Sequence, residues 1–292
     1  MSSRFASPYP GLMIDTGAAA RRRATTRRYL MCPPDYFAVT YAINPWMRPD
    51  EPTDVATAMR QWAALRQVYL DLGHDVRVIE PVPGLPDMVF AANGATVVDG
   101  TVLGARFRYP QRAAEAEAYL RWFRDAGYPR VQAPRQVNEG EGDILFTGRV
   151  LLSGHGFRSD EAAGAELAEV FGRPVVSLRL TDPRFYHLDT ALCVLDPDTA
   201  MYYPAAFDDA AQAAIAAEFG ELIEAKDEDA EVLGLNAVSD GRRVVLPVQA
   251  RSLAAQLRER GFEPIGVDMS EVLKGGGGPK CCTLELRLQR EA

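Results

Sequence analysis

Residues 144–178 read ILFTGRVLLSGHGFRSDEAAGAELAEVFGRPVVSL, and this stretch decides the fold. Two short apolar runs, Ile144 to Phe146 and Val150 to Leu152, predict strands, Ser159 to Phe171 predicts an amphipathic helix, and Val175 to Leu178 predicts a third strand. Working outward, the same order recurs. Upstream, Val89 to Phe90, Ala95 to Val98 and Thr101 to Gly104 are expected strands, followed by a helix from Arg112 to Ala126 and a strand at Val131. Downstream come Ala191 to Leu195, Ala200 to Tyr203, a helix from Asp208 to Phe219, and Leu222 to Ala225. Then follow Ala237 to Ser239, Arg243 to Leu246, a helix from Ser252 to Arg260, Glu263 to Val267, and a final strand from Thr283 to Leu286. The N-terminal unit has Tyr29 to Met31, a helix from Thr53 to Leu72, and Val76 to Ile79. Five ββαβ-like units predict an α/β pseudo-symmetric ring rather than an open doubly wound sheet. A three-layer sheet would show longer apolar strands and a glycine-rich phosphate loop after the first of them. The run Gly275 to Gly278 lies instead near the C-terminus, leads into Pro279-Lys280-Cys281 with no helix after it, and is expected as a mobile loop beside a reactive residue.

A chain of 292 residues, 47% hydrophobic and 25% charged, can bury a substantial core and need not split into domains. It has no run of 18 apolar residues, and Met1 to Thr26 lacks the apolar block of a secretory signal, so a cytoplasmic protein with no membrane partner is expected. Cys32, Cys193, Cys281 and Cys282 show no zinc-type spacing, and the adjacent pair cannot easily bond to itself, which fits a reducing compartment and predicts no metal. The net charge of −8 argues against nucleic acid and is compatible with a small cationic substrate. The basic run from Arg21 to Arg28 is read as part of a flexible tail spanning 1–28, to which no function is assigned, with 29–292 as one catalytic domain. Self-association is left open.

Three histidines occur, and His187 stands out because Asp189 follows two residues later in a strand-like run, which would put both side chains on one face. Such a pair is as readily an ordinary hydrogen-bonded couple as a catalytic one. The segment from Asn138 to Asp143 crowds Glu139, Glu141 and Asp143 among glycines, where repulsion would raise a pKa in an enclosed site, or else forms a plain acidic turn. Pro86 to Asn93 reads as a loop and strand with polar ends.

Taken together, Tyr41 to Met47, Asp87 to Asn93, Glu139 to Asp143 with Leu145 to Arg149, His187-Leu188-Asp189, and Lys280 to Leu284 form an ordered series. The series resembles the guanidino-group-modifying (amidinotransferase, or pentein) superfamily. That group includes arginine deiminase, dimethylarginine dimethylaminohydrolase, amidinotransferases and arginine dihydrolases. The resemblance implies a five-bladed α/β propeller, a nucleophile at Cys281, an acid/base at His187, and a carboxylate from the acidic turn beside it. Glu139 is favoured for that carboxylate, with Glu141 the alternative. It also implies Arg112 and Arg158 for a substrate carboxylate, and Asn44, Asp87, Phe90, Asn93, Asp143, Asp189 and Gly275 around the substrate. The implied chemistry is thiolate attack on a guanidinium carbon through an S-alkylthiouronium, with no cofactor. Alternation along a strand allows only one of Cys281 and Cys282 to face a central site.

Asp189 resembles the carboxylate of arginine deiminases that binds free guanidinium nitrogens. Asn93 resembles arginine dihydrolases, since an amide can also pair with the neutral ureido group of citrulline. An arginine dihydrolase is therefore the leading expectation, then a dimethylarginine dimethylaminohydrolase, an amidinotransferase, and last a non-catalytic binding protein on the same scaffold.

Overall fold

Strand β1 (Arg28–Met31) is joined by helix α1 (Val55–Asp71) to strand β2 (Asp75–Val78), and the two strands run parallel. A computed structural model describes residues 22–288 of the chain. The next unit pairs β3 (Ala95–Val98) antiparallel to β4 (Thr101–Gly104), then returns through helix α2 (Glu115–Asp125) to β5 (Arg130–Gln132), parallel to β4. The third repeats this with β6 (Ile144–Phe146), β7 (Leu151–His155), α3 (Ala163–Phe171) and β8 (Val175–Arg179). A single helical turn, α4 (Leu188–Ala191), leads into the fourth: β9 (Leu192–Asp196), β10 (Thr199–Tyr202), α5 (Asp209–Glu218) and β11 (Glu221–Glu224). The fifth has β12 (Val238–Ser239), β13 (Arg243–Pro247), α6 (Arg251–Glu259) and β14 (Glu263–Val267). The last strand, β15 (Leu284–Glu285), pairs antiparallel to β1. The first sheet is thus completed by the last strand of the described residues, and among those residues five three-stranded sheets make the expected five-bladed α/β propeller.

Local chemistry explains the elements. Asp54 caps α1 by accepting from the N–H groups of Ala56 and Thr57, and Ala58, Trp62, Leu65 and Tyr69 form its buried stripe. Helix α3 ends at Gly172, whose φ of +60° is left-handed and suits a residue without Cβ. No helix among the described residues is long and apolar enough to cross a membrane.

Two expectations change. The strand proposed at Val89 to Phe90 is a pair of 3₁₀ turns, Pro86–Val89 and Ala91–Gly94. Pro86 starts the first turn, and an apolar run this short has no periodicity to distinguish a strand from a buried turn. Of the basic terminus, residues 1–21 lie outside the described residues, whereas 22–28 are laid on the ring. Arg22 pairs with Asp196 and Glu221, each at 2.5 Å, and its guanidinium stacks 4.1 Å from the centre of the Phe262 ring. Thr25 N–H bonds to Asp240 O, and Arg28 already belongs to β1. Acidic blade edges supply what composition alone cannot show.

Candidate active site

Each blade contributes buried polar residues from the segment just ahead of its first strand. Asp87 and Asn93 precede β3, Glu139 to Asp143 precede β6, and His187 and Asp189 precede β9. Asn236 precedes β12 and Cys281 precedes β15. Equivalent positions of a closed repeat meet around its axis, and hydrogen bonds trace the circuit. Asn93 Nδ2 donates to Glu139 O (3.3 Å), Glu139 Oε2 meets His187 Nε2 (2.8 Å), and Asn236 Nδ2 donates to Asp189 O (3.1 Å). Asn236 Nδ2 also reaches Cys281 Sγ (3.1 Å), and Ala92 N–H closes the ring on Cys281 O (3.0 Å).

Glu139 is the carboxylate at His187. Burial opposes its charge, but Arg158 Nη1 at 2.7 Å and the His187 bond hold its pKa well below the usual carboxylate range. Ionised Glu139 accepts only, so Nε2 of His187 carries the hydrogen and Nδ1 is left without a partner among the described residues. Glu141 does not share this role: it faces Lys280, with Nζ to Oε2 at 2.7 Å, and Arg287. The intervening Gly140, at φ +54°, reverses the chain there and sends the two carboxylates to different partners. Asp143, expected at the substrate, is taken up by the protein. It accepts from Ser159 N and Oγ and from Leu188 N–H, which ties the His187 turn to its neighbouring blade. Burial pushes its pKa up to about 6.

The Cys281 thiol is buried and donates to Asp189 Oδ2 at 3.3 Å. Burial, then the Asp189 charge, push its pKa well above the ordinary thiol value. Burial likewise raises Asp189 to about 7, although Lys280 and the bonds from Cys281 and Asn236 pull the other way. The second oxygen of Asp189 is unpartnered among the described residues, as is Oδ1 of buried Asp87. His187 and Asp189 do not share a strand face. His187 is extended with ψ 151° and caps α4, whose first turn carries Asp189 away from Glu139 and toward Cys281. Strand alternation does not separate the two cysteines either, because 281 and 282 lie in a turn before β15 begins at Leu284. The glycine run is packed rather than open. Gly275 to Gly278 are buried, and a Cβ on Gly277 would lie 2.5 Å from Phe90 and 2.8 Å from the Cys281 Cβ.

The sequence model of the family described as N,N dimethylarginine dimethylhydrolase, eukaryotic, matches residues 34–288. The chain belongs to that family. It is 58% identical over 270 residues to N(G),N(G)-dimethylarginine dimethylaminohydrolase of Mycobacterium tuberculosis, covering 92% of this chain and 89% of the relative. It is 37% identical over 265 residues to the bifunctional arginine dihydrolase/ornithine cyclodeaminase ArgZ of Synechocystis sp., covering 89% of this chain but only 37% of that longer protein. The solved N-terminal domain of ArgZ, an arginine dihydrolase bound to substrate, superposes with a TM-score of 0.86 at 36% identity, over 90% of this chain and 98% of that one.

In this member of the dimethylarginine dimethylhydrolase family the two arginines are spoken for. Arg112, expected to grip a substrate carboxylate with both prongs, gives Nε and Nη2 to Glu115 at 3.0 and 2.8 Å and Nη1 to Asn93 Oδ1 at 2.8 Å. Glu115 is three residues on, at the start of α2, where sequence reading saw only a helix. Arg158 bonds Glu139 and Ile43 O and stacks on Tyr109 and Tyr186. Asn44 holds the loop through Trp46 N–H and Met47 N–H and donates to Gly275 O at 3.1 Å, so both residues shape the wall. Phe90 packs edge-on to Phe37 and fills the space over Gly275 and Gly277. Asp87 accepts from Tyr41 OH at 2.8 Å, and burial raises its pKa despite Arg112. Asn236 escaped the sequence reading. The repeat itself carried the signal, since the other four units all place a polar group just before their first strand.

Proposed function

We propose that the chain hydrolyses guanidino C–N bonds, with Cys281 as nucleophile, His187 as acid/base and the ring acting as one catalytic domain. The observation that carries this is the set of buried acceptors without a partner among the described residues, Asp87 Oδ1, Asp189 Oδ1 and His187 Nδ1, in the circuit that holds the Cys281 thiol. Leaving such atoms unbonded costs roughly 1–3 kcal/mol each, and a guanidinium, all donors and one positive charge, satisfies the two carboxylates at once. The cation also reverses the two pKa elevations, since it favours both the Asp189 carboxylate and the Cys281 thiolate. Sulfur then bonds to the guanidinium carbon as the thiol proton passes to Nδ1 of His187, the ring nitrogen without a partner among the described residues. The tetrahedral adduct expels an amine that takes a proton from His187. His187 next takes a proton from water as the oxygen adds to the S-alkylthiouronium carbon, and the C–S bond breaks to restore the thiol.

For the substrate we favour arginine, carried through citrulline to ornithine, carbon dioxide and ammonia. Arg112 can only donate, so its bond to Asn93 Oδ1 turns Nδ2 away from Arg112. That amide N–H₂ lies beside Gly142, in the same corner as His187 Nδ1. A donor there mismatches a guanidinium and suits a ureido carbonyl. Likeness to the arginine dihydrolase domain supports the same reading. The second reading, hydrolysis of methylated arginine to citrulline and a methylamine, is favoured by the 58% identity to the mycobacterial relative. Mass spectrometry after separate incubation with arginine, citrulline and asymmetric dimethylarginine decides. Ornithine from both arginine and citrulline supports the dihydrolase; citrulline with dimethylamine supports the second reading; no product from any substrate overturns the hydrolase.

A further inference from the structure

The Asn236 side chain makes four hydrogen bonds, all to the nucleophile and its surroundings. Its Oδ1 accepts from Gly278 N–H and Cys281 N–H, both at 3.0 Å. Two backbone donors on one oxygen leave no choice of amide orientation, so Nδ2 must face Cys281 Sγ and Asp189 O, each at 3.1 Å. The residue is fully buried, and its amide cannot titrate. We propose that Asn236 is the positioning residue for the nucleophile, which fixes the Cys281 backbone with its oxygen and supplies a permanent donor to the thiolate sulfur with its nitrogen.

The need for such a donor follows from the neighbouring groups. Burial and the Asp189 carboxylate both oppose negative charge on the sulfur. His187 is engaged with Glu139, and Lys280, next in the chain, directs its ammonium to Glu141 at 2.7 Å and to Thr283 O at 3.0 Å. Among the groups bonded to the Cys281 sulfur, Asn236 supplies the donor and Asp189 the acceptor. A donor aimed at the sulfur favours the thiolate over the thiol and holds one lone pair in place, leaving another for attack. Because Asn236 also bonds Gly278, the glycine run is fastened by the same side chain that aims the thiol.

This inference rests on Cys281 being the nucleophile but not on which guanidine compound is cleaved, and its test needs no substrate. Asn236→Asp keeps both acceptor bonds and the side-chain shape while replacing the donor by an acceptor. The rate of Cys281 alkylation by iodoacetamide, followed by peptide mass spectrometry against pH, should shift its midpoint up by about one unit or more, a roughly tenfold slower reaction at a given pH below it. Asn236→Ser, a shorter side chain that retains a donor, should fall between Asn236→Asp and the parent, and serves as the test if Asn236→Asp does not fold. With any substrate the parent turns over, kcat should drop roughly tenfold or more while KM changes less than about threefold. An unchanged alkylation midpoint in a folded variant overturns the donor role and leaves Asn236 a structural residue. If the parent turns over no guanidine compound while the midpoint still shifts, the functional reading fails and the positioning role stands.

Discussion

Asp189 Oδ2 lies 3.3 Å from Cys281 Sγ, so the carboxylate that a guanidinium would claim also holds the proton of the thiol proposed as nucleophile. On the proposed function, one buried pair joins substrate binding to thiol activation. Without a cation both groups are driven toward their neutral forms, and the thiol stays protonated and protected.

That arrangement carries a stability cost with a definite sign. Asp189 titrates near pH 7 when folded, against an ordinary value of 3.8, so the folded chain keeps a proton that the unfolded chain releases. Its contribution is therefore lost as pH rises from about 4 to about 7. Asp189→Asn should melt several degrees higher than the parent at pH 8, a gain on the order of 2–4 kcal/mol, and within a degree of it at pH 4. Asp143 drifts the same way but is common to both proteins, so the difference isolates Asp189. Equal melting temperatures at both pH values would remove the assigned pKa.

The two adjacent cysteines should separate cleanly. Cys281→Ser should lose turnover by roughly a thousandfold or more while arginine still raises the melting temperature, because the binding carboxylates remain. Cys282 is fully buried in the apolar cluster it shares with Cys281, so Cys282→Ala should cost about 1 kcal/mol and leave kcat within about threefold. Turnover that survives in Cys281→Ser rules out the covalent route.

Glu139 and Glu141, two residues apart, face different partners, and on the proposed function they divide chemistry from architecture. Glu139→Gln removes the charge that orients His187, and kcat should fall roughly a hundredfold. Glu141→Gln leaves half-buried Lys280 facing a neutral partner and half-buried Arg287 with Glu285 as its remaining carboxylate. It should unfold more easily by about 3 kcal/mol while retaining most activity at low temperature. Denaturant titration and initial rates on both variants test the split; equal activity losses would refute it.

The ring was legible from sequence because each unit repeats the same strand, strand, helix, strand pattern, and helix α1 shows it best, with Asp54 at its start and a regular apolar stripe. His187 and Cys281 were legible as reactive types in a recognisable order. Their directions were not, since α4 is one turn long and the 281–282 turn precedes its strand, and such short segments carry no periodicity. Glu115 reads as an ordinary helical residue because nothing in a helix pattern says that Arg112, three residues earlier, folds back onto it in a buried pair. Asn236 is different in kind: an amide has no reactive signature, and only its phase in the fivefold repeat marks it.

Asn93 offers the sharpest test of how many hydrolytic steps occur. Its oxygen is held by Arg112 and its nitrogen by Glu139 O, so Asn93→Asp keeps the shape and the Arg112 bond but turns the remaining donor into an acceptor. The new carboxylate would lie close to ionised Glu139, a repulsion that Arg112 partly offsets, and it would attract a guanidinium while repelling the oxygen of a ureido group. Arginine consumption should therefore persist within about tenfold, whereas citrulline hydrolysis should fall by a hundredfold or so, the equivalent of about 3 kcal/mol lost to one mismatched buried bond. The readout is the ornithine to citrulline ratio at equal arginine consumption. A ratio that collapses toward citrulline assigns the second step to the Asn93 donor; an unchanged ratio means that the ureido oxygen is bound elsewhere, with the backbone N–H groups of the Gly275 to Gly278 run the next place to look.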